Sequence, residues 1–146
     1  MPRLMPQSEG LPRALYRAEQ VRGLDRAAIE GEGIPGAELM ERAGAAAYRL
    51  LRARWPAARD VTVLCGVGNN AGDGYVVARL ARADGLRVRV IQVGDPGRLR
   101  GDALAMAGAW RARGEEGIHS LSRAIAFWRA ASSRPSCAMR LALASR

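Results

Sequence analysis

Read for the spacing of its apolar positions, the chain falls into four stretches. Residues Met1 to Pro12 carry Pro2 and Pro6 without a periodic stripe and read as a flexible lead-in. ALYRAEQVRGLDRAAIEGEG follows, with Leu15, Ala18, Val21, Leu24, Ala28 and Ile29 at spacings of three and four. That spacing predicts one face of a helix, ended by Gly31 and Gly33. After the turn at Ile34-Pro35-Gly36, AELMERAGAAAYRLLRARW predicts a second amphipathic helix. Leu39, Met40, Ala43, Ala47, Leu50 and Leu51 line one face, and Pro56 stops it. Gly44 inside this helix costs about 1 kcal/mol against Ala, which points to close packing against a neighbour.

The third stretch changes period twice. Val61, Val63 and Leu64 form a short apolar run suited to a buried parallel strand. YVVARLARADG then takes helical spacing, with Val76, Val77, Leu80 and Ala81 inward and Gly85 as the C-terminal stop. LRVRVIQVGDP returns to strand composition, placing Val88, Val90 and Gln92 on one face and Arg89, Ile91 and Val93 on the other. RGDALAMAGAWRARG supplies the next helix, and strand, helix, strand, helix with short links begins a doubly wound parallel sheet. From Gly117 onward the rhythm breaks: the segment holds five Arg, no acidic residue and no β-branched run where another strand is due. The expectation is a sheet cut after about two strands, with an open edge and a thin core.

Length and composition narrow the classes. The 146 residues are one domain's worth of chain, 49% hydrophobic and 25% charged, as in globular proteins. No apolar run approaches the roughly 20 residues of a membrane span, and the N-terminus lacks the apolar centre of a secretory signal. Cys65 and Cys137 are too few for a disulfide framework, and a reducing cytoplasm is the expected setting. The net charge of +9 invites a nucleic-acid reading, but every basic residue is Arg, as a GC-rich coding sequence produces. The arginines are dispersed along helix faces and aromatics are 5%, so no specific nucleic-acid partner is expected.

The candidate chemistry sits in GNNAGDG, between the first strand and its helix. In a doubly wound sheet, ligands bind beyond the carboxyl ends of the strands. Gly66 and Gly68 allow a tight turn and close approach of backbone to a ligand. Gly72-Asp73-Gly74 is expected to open the helix, with Asp73 able to cap exposed amides there. The helix N-terminus adds about half a positive charge, which favours phosphate. Asn69 and Asn70 offer carbonyl oxygens and amide hydrogens that can coordinate a hard cation or hold a ligand amide. Three readings stay open: a structural turn, a generic dinucleotide loop and a specialised site. GVGNNA fits the relaxed pattern G-x-G-x-x-G/A, for which Asp95 could bind the ribose; a P-loop is excluded because the chain has no Lys.

Three motifs in order, A-E-Q-V-R-x-L-D, L-M-E-R-A-G and G-x-G-N-N-x-G-D-G, make the chain resemble the NAD(P)H-hydrate epimerases, the YjeF N-terminal domain family. The resemblance runs from about Ala14 to about Gly114, and Ala71 stands where the family usually has Gly. It implies an α/β fold with a Rossmann-like three-layer parallel sheet, incomplete in its C-terminal half. It also implies interconversion of the R and S forms of hydrated NADH and NADPH (NADHX and NADPHX), so that a separate dehydratase can restore the cofactor. Carried over, Asn69, Asn70, Ala71, Gly72 and Asp73 contact the substrate and Asn70 binds a potassium ion, one per subunit. A homodimer through the two N-terminal helices fits the same picture.

The family's second half, with a strand ending in Asp before a G-T-G loop, has no counterpart in the sequence. The expected division is therefore a lead-in over 1–12, a partial epimerase domain over 13–116 and an Arg/Ala/Ser-rich tail over 117–146 that reads like a shifted frame. The catalytic acid is then unassigned, and the alternative is a non-catalytic nucleotide-binding or scaffolding module. The remaining chemistry-bearing residues have plainer readings. His119 is incidental, Cys65 a small core residue, Trp110 and Trp128 packing groups, and Asp25 and Glu41 solvated helix positions or caps.

Overall fold

The computed structural model describes residues 15–114 and the backbone of 118–120 and 139–143. The chain divides into two compact units, Met1–Ile34 and Pro35–Arg146. In the first, α1 (Ala18–Arg26) widens into a π turn over Ala27–Gly31. Gln20 Oε1 accepts the Arg17 amide at 2.8 Å, which fastens the start of α1. Its predicted stripe exists, and Leu15, Tyr16, Val21, Leu24 and Ile29 are all exposed.

The second unit contains α2 (Gly36–Arg54), β1 (Asp60–Cys65), α3 (Asn70–Ala83), β2 (Arg87–Gln92), α4 (Gly101–Arg111), β3 (Ile118–Ser120) and β4 (Met139–Leu143). The four strands form one parallel sheet in the order β3-β2-β1-β4. Val61 faces Val88 on one side and Met139 on the other, which sets the register of the central pair and its neighbour. The order runs outward from β1 through β2 to β3 and then reverses to β4, the arrangement of a Rossmann-like sheet. The α/β expectation is met. The expectation of no strand beyond Gly117 is not: two stretches of that segment pair with β2 and β1. MRLAL has weak strand composition, and pairing against the β1 edge decides its conformation over local propensity.

One cluster forms the core. Val61, Val63 and Cys65 alternate inward along β1 and meet Tyr75, Val77, Ala78 and Ala81 of α3, while Val90 joins from β2. Trp110, fully buried on α4, closes the cluster as a packing group. α3 packs between α2 and α4 and lies on β1 and β2. Glycine sets how closely: a Cβ at Gly44 would stand 2.5 Å from Val76 Cβ, and one at Gly72 would stand 2.1 Å from Met40 Sδ and 3.0 Å from Ala103 Cα. The close packing expected at Gly44 is thus present, and Gly72 repeats it within the first turn of α3.

The inward face of α2 differs from the predicted one. Gly44, Tyr48 and Leu51 are buried, with Met40 and Ala47 packed beside them, whereas Leu50 is 70% exposed. Tyr48 outranks Leu50 because its ring packs while its hydroxyl donates to Asp84 Oδ2 at 2.6 Å. Glu41 keeps a partly solvated side chain and also pairs with Arg79 of α3. Asp25 is exposed on α1, as expected. Gly85, at φ +78°, ends α3 as predicted. Trp128 and Cys137 lie outside the described residues, and for His119 only the backbone, within β3, is described.

Candidate functional site

The site is built where β1 stops. Beyond Cys65 the chain makes a short turn through Gly66, Val67, Gly68 and Asn69 and enters α3 at Asn70. Helix entry comes two residues before the Gly72 start predicted from sequence. The reason lies in the turn's own bonds: the Ala71 amide donates to Gly68 O at 3.0 Å and the Gly72 amide to Asn69 O at 2.8 Å. Asn69 takes the capping position without a side-chain cap hydrogen bond, and Asp73 falls inside the first turn instead of ahead of it. This turn lies at the carboxyl end of β1, the strand beside which the sheet order reverses, where a doubly wound sheet opens its ligand crevice.

The predicted substrate residues divide by exposure. Asn69 and Asn70 are exposed and Asp73 is half-buried. Ala71 and Gly72 are buried; Ala71 belongs to the core cluster and Gly72 admits Met40 and Ala103. The loop therefore has an outer edge of two carboxamides and an inner edge that holds the helices together. Ala71, in place of the glycine usual in the resembled family, is accommodated because its methyl enters the core.

Behind the turn lies a polar connection that spacing did not reveal. Gln92, the last residue of β2 and only 3% exposed, sits in register with Cys65. Its Oε1 accepts the Tyr75 hydroxyl at 2.6 Å, and its Nε2 donates to Gly66 O at 2.7 Å and Cys65 O at 3.1 Å. The amide orientation follows from the partners: two carbonyl oxygens require a donor opposite them. Alternation had placed Gln92 on the Val90 face, so a buried carboxamide was the available signal. Burial alone pushes the Cys65 thiol up to about 12, which leaves it protonated and unreactive at neutral pH. The Tyr75 hydroxyl is raised as well, first by burial and then by the nearby Cys65. The buried groups behind the loop are thus uncharged at neutral pH, which suits a support for the turn.

The neighbouring turn, after β2, is closed by its own side chains. Asp95 Oδ1 accepts the Gly97 amide at 2.9 Å at the start of a short 3-10 turn, Pro96–Arg98. Arg100 donates to Leu99 O at 2.7 Å. Asp95 is thereby engaged in its own turn, which weakens its reading as a ribose-binding acid. The two turns touch, since a Cβ at Gly94 would lie 3.1 Å from Val67 Cγ1.

Potassium takes uncharged oxygens in place of its water shell, and the Asn70 carboxamide is such a donor. The adjoining helix N-terminus carries partial positive charge, which opposes a cation. Among the described residues no group of three or more His, Cys, Asp or Glu side chains is placed to hold a metal.

Comparison with known proteins gives matches whose family span includes this loop. Residues 36–125 match the family model described as YjeF-related protein N-terminus. The chain is 51% identical over 98 residues to the bifunctional NAD(P)H-hydrate repair enzyme Nnr of Coxiella burnetii, a match covering 67% of this chain and 20% of that protein. It is 44% identical over 104 residues to the NAD(P)H-hydrate epimerase of Rhodobacter capsulatus, covering 66% of this chain and 49% of that one. The bifunctional repair enzyme Nnr of Escherichia coli is 42% identical over 110 residues, 75% of this chain and 21% of its own length. The chain thus spans about half of the Rhodobacter epimerase and about a fifth of the two bifunctional enzymes.

Proposed function

The chain belongs to the YjeF-related protein N-terminus family, and from that premise we propose that it epimerises hydrated NADH and NADPH. The observation that carries this reading is the turn at the end of β1, which turns Asn69 and Asn70 outward beside the strand-order reversal while its inner side is packed. The substrate is a carbinolamine with its hydroxyl at C6 of the reduced ring. Loss of that hydroxyl as water, assisted by a general acid, leaves an iminium ion; return of water to the other face gives the epimer. No net redox change occurs and no group is transferred to the protein.

Within that reaction Asn69 and Asn70 hold polar groups of the substrate and the departing water. The first turn of α3 favours the pyrophosphate through its partial positive charge. Ala71 and Gly72 contribute by shape, and Asp73 by its place in the first turn. Asn70 is one oxygen ligand of a potassium ion, with further donors required from elsewhere. Among the described residues no helix is long and apolar enough to cross a membrane. A cytoplasmic setting, a homodimer and a separate dehydratase acting on the product complete the proposal.

A second reading is that the domain binds its nucleotide without acting on it, since a fold does not fix a function. One experiment separates the two. The purified chain receives R-NADHX with potassium and an S-specific dehydratase, and NADH recovery is followed. Recovery above the spontaneous rate supports the epimerase; folded protein that binds NADHX without accelerating recovery supports the binding module.

A further inference from the structure

A carboxamide in an apolar core is unfavourable unless each of its hydrogen-bonding groups is matched, and a leucine would fill similar space without that requirement. Gln92 meets the requirement through three different parts of the fold. Cys65 O already accepts the Val93 amide at 2.8 Å, which is the last rung between β1 and β2. Gly66 O is the first carbonyl past the strand, and Gln92 Nε2 reaches it at 2.7 Å. The opposite end of the same carboxamide takes the Tyr75 hydroxyl from α3. Both ends of the turn, where it leaves β1 and where it has become α3, are therefore referred to one side chain on β2.

We propose that Gln92, with Tyr75, is a positioning residue that fixes the Gly66–Asn69 turn and so the direction in which Asn69 and Asn70 are presented. This rests on the epimerase reading for its consequence in catalysis, though not for the linkage itself. Gln92 is separated from solvent by burial and acts through the Gly66 peptide, without touching the substrate. The neutral surroundings strengthen the bonds, since a carboxamide and a phenol in a low dielectric interact without competing water. Loss of the linkage frees the Gly66 peptide to rotate while the rest of the β1–β2 ladder keeps its register.

The test compares Gln92→Leu, Tyr75→Phe and Val90→Ala in the full chain. Val90 is a fully buried neighbour on the same strand, outside the linkage, and serves as the control for a general loss of packing. The readouts are hydrogen exchange of the Ala71 and Gly72 amides, which close the turn, and the separate KM and kcat of R-NADHX epimerisation. Gln92→Leu is expected to speed exchange at those two amides at least tenfold relative to the amides of Val61 and Val63, and to raise KM about tenfold. Tyr75→Phe is expected to give a smaller change in the same direction, and it serves if Gln92→Leu fails to fold. Val90→Ala is expected to move both amide sets together and leave KM within twofold. Equal effects of the Gln92 and Val90 variants on the turn amides would overturn the proposal. Faster turn exchange in a chain whose wild type shows no epimerisation would leave the linkage standing and refute the catalytic reading.

Discussion

Two turns leave the carboxyl ends of adjacent parallel strands, and they are held in opposite ways. The turn after β1 is supported from behind, by the Gln92 carboxamide and by glycines that bring α2 and α4 against α3. Its capping residue, Asn69, makes no side-chain bond to the helix start. The turn after β2 is supported from within: Asp95 accepts the Gly97 amide, and Arg100 donates to the carbonyl of Leu99. The turn after β2 is thus tied by bonds within its own few residues, whereas the turn after β1 is tied to β2 and α3 through Gln92. Support from the core is thus what distinguishes the candidate site from its neighbour.

The largest effect should come from removing that support. Gly44→Ala places a methyl against the β-branched Val76, which has little rotamer freedom to retreat. We expect a loss of about 1–3 kcal/mol, the usual cost of overpacking, seen as a lower urea midpoint. Gly97→Ala, whose new methyl meets only the carboxylate end of the Asp95 side chain, at 3.2 Å, should change stability by less than about 0.5 kcal/mol. Comparable losses in the two variants would erase the distinction between the turns.

Alkaline pH should act next. In the unfolded chain the Cys65 thiol ionises near 9.0 and the Tyr48 hydroxyl near 10.0; in the fold both rise to about 12. Burial is the main cause for each, with the Asp84 hydrogen bond second for Tyr48. Between those limits the native state holds more protons than the unfolded state, so stability falls as pH rises. The contribution is fully present below about pH 9 and lost as pH approaches 12. The urea midpoint should therefore be lower at pH 11 than at pH 8, in a chain with no Lys to titrate in that window. An unchanged midpoint would contradict the burial assigned to these groups.

Smaller effects separate the turns by function. Asp95→Ala removes a local cap and should cost about 1 kcal/mol, with affinity for NADHX changed less than twofold in calorimetric titration. Asn69→Ala removes no side-chain cap bond and should leave the melting temperature nearly unchanged while weakening NADHX binding about tenfold. The smallest effect belongs to Arg87→Ala. Its bidentate pair with Asp60, at 2.7 Å for each contact, lies at the far end of β1 and is exposed on the Arg side. The urea midpoint is expected to stay unchanged at physiological salt, because an exposed pair is screened by solvent and ions.

Much of this arrangement was legible in the chain. Alternation placed Gln92 beside Val90, Gly44 announced a close approach, and Gly85 marked the end of α3, because each reports a local backbone or burial requirement. The inward face of α2 was misread at Leu50 because apolar character outweighed the combined ring packing and hydroxyl bonding of Tyr48. The strand at Met139–Leu143 was invisible for a different reason. Leu, Met and Ala suit a helix as well as a strand, and only the partner edge of β1 decides between them. The bracing by Gln92 needed coordinates, since no spacing rule joins position 92 to Gly66. Helix entry at Asn70 likewise depended on amide bonds inside the turn, which glycine spacing does not specify.

The central claim is that the turn after β1 is the part of this chain that receives hydrated NAD(P)H. The most direct measurement is titration of the isotope-labelled chain with NADHX, and separately with intact NADH, followed by backbone amide shifts. The account predicts the largest NADHX shifts from Gly66 to Asp73, with weaker binding of NADH and small changes at Gly97 and Leu99. Shifts centred on the turn after β2, or equal responses to the two nucleotides, would contradict it.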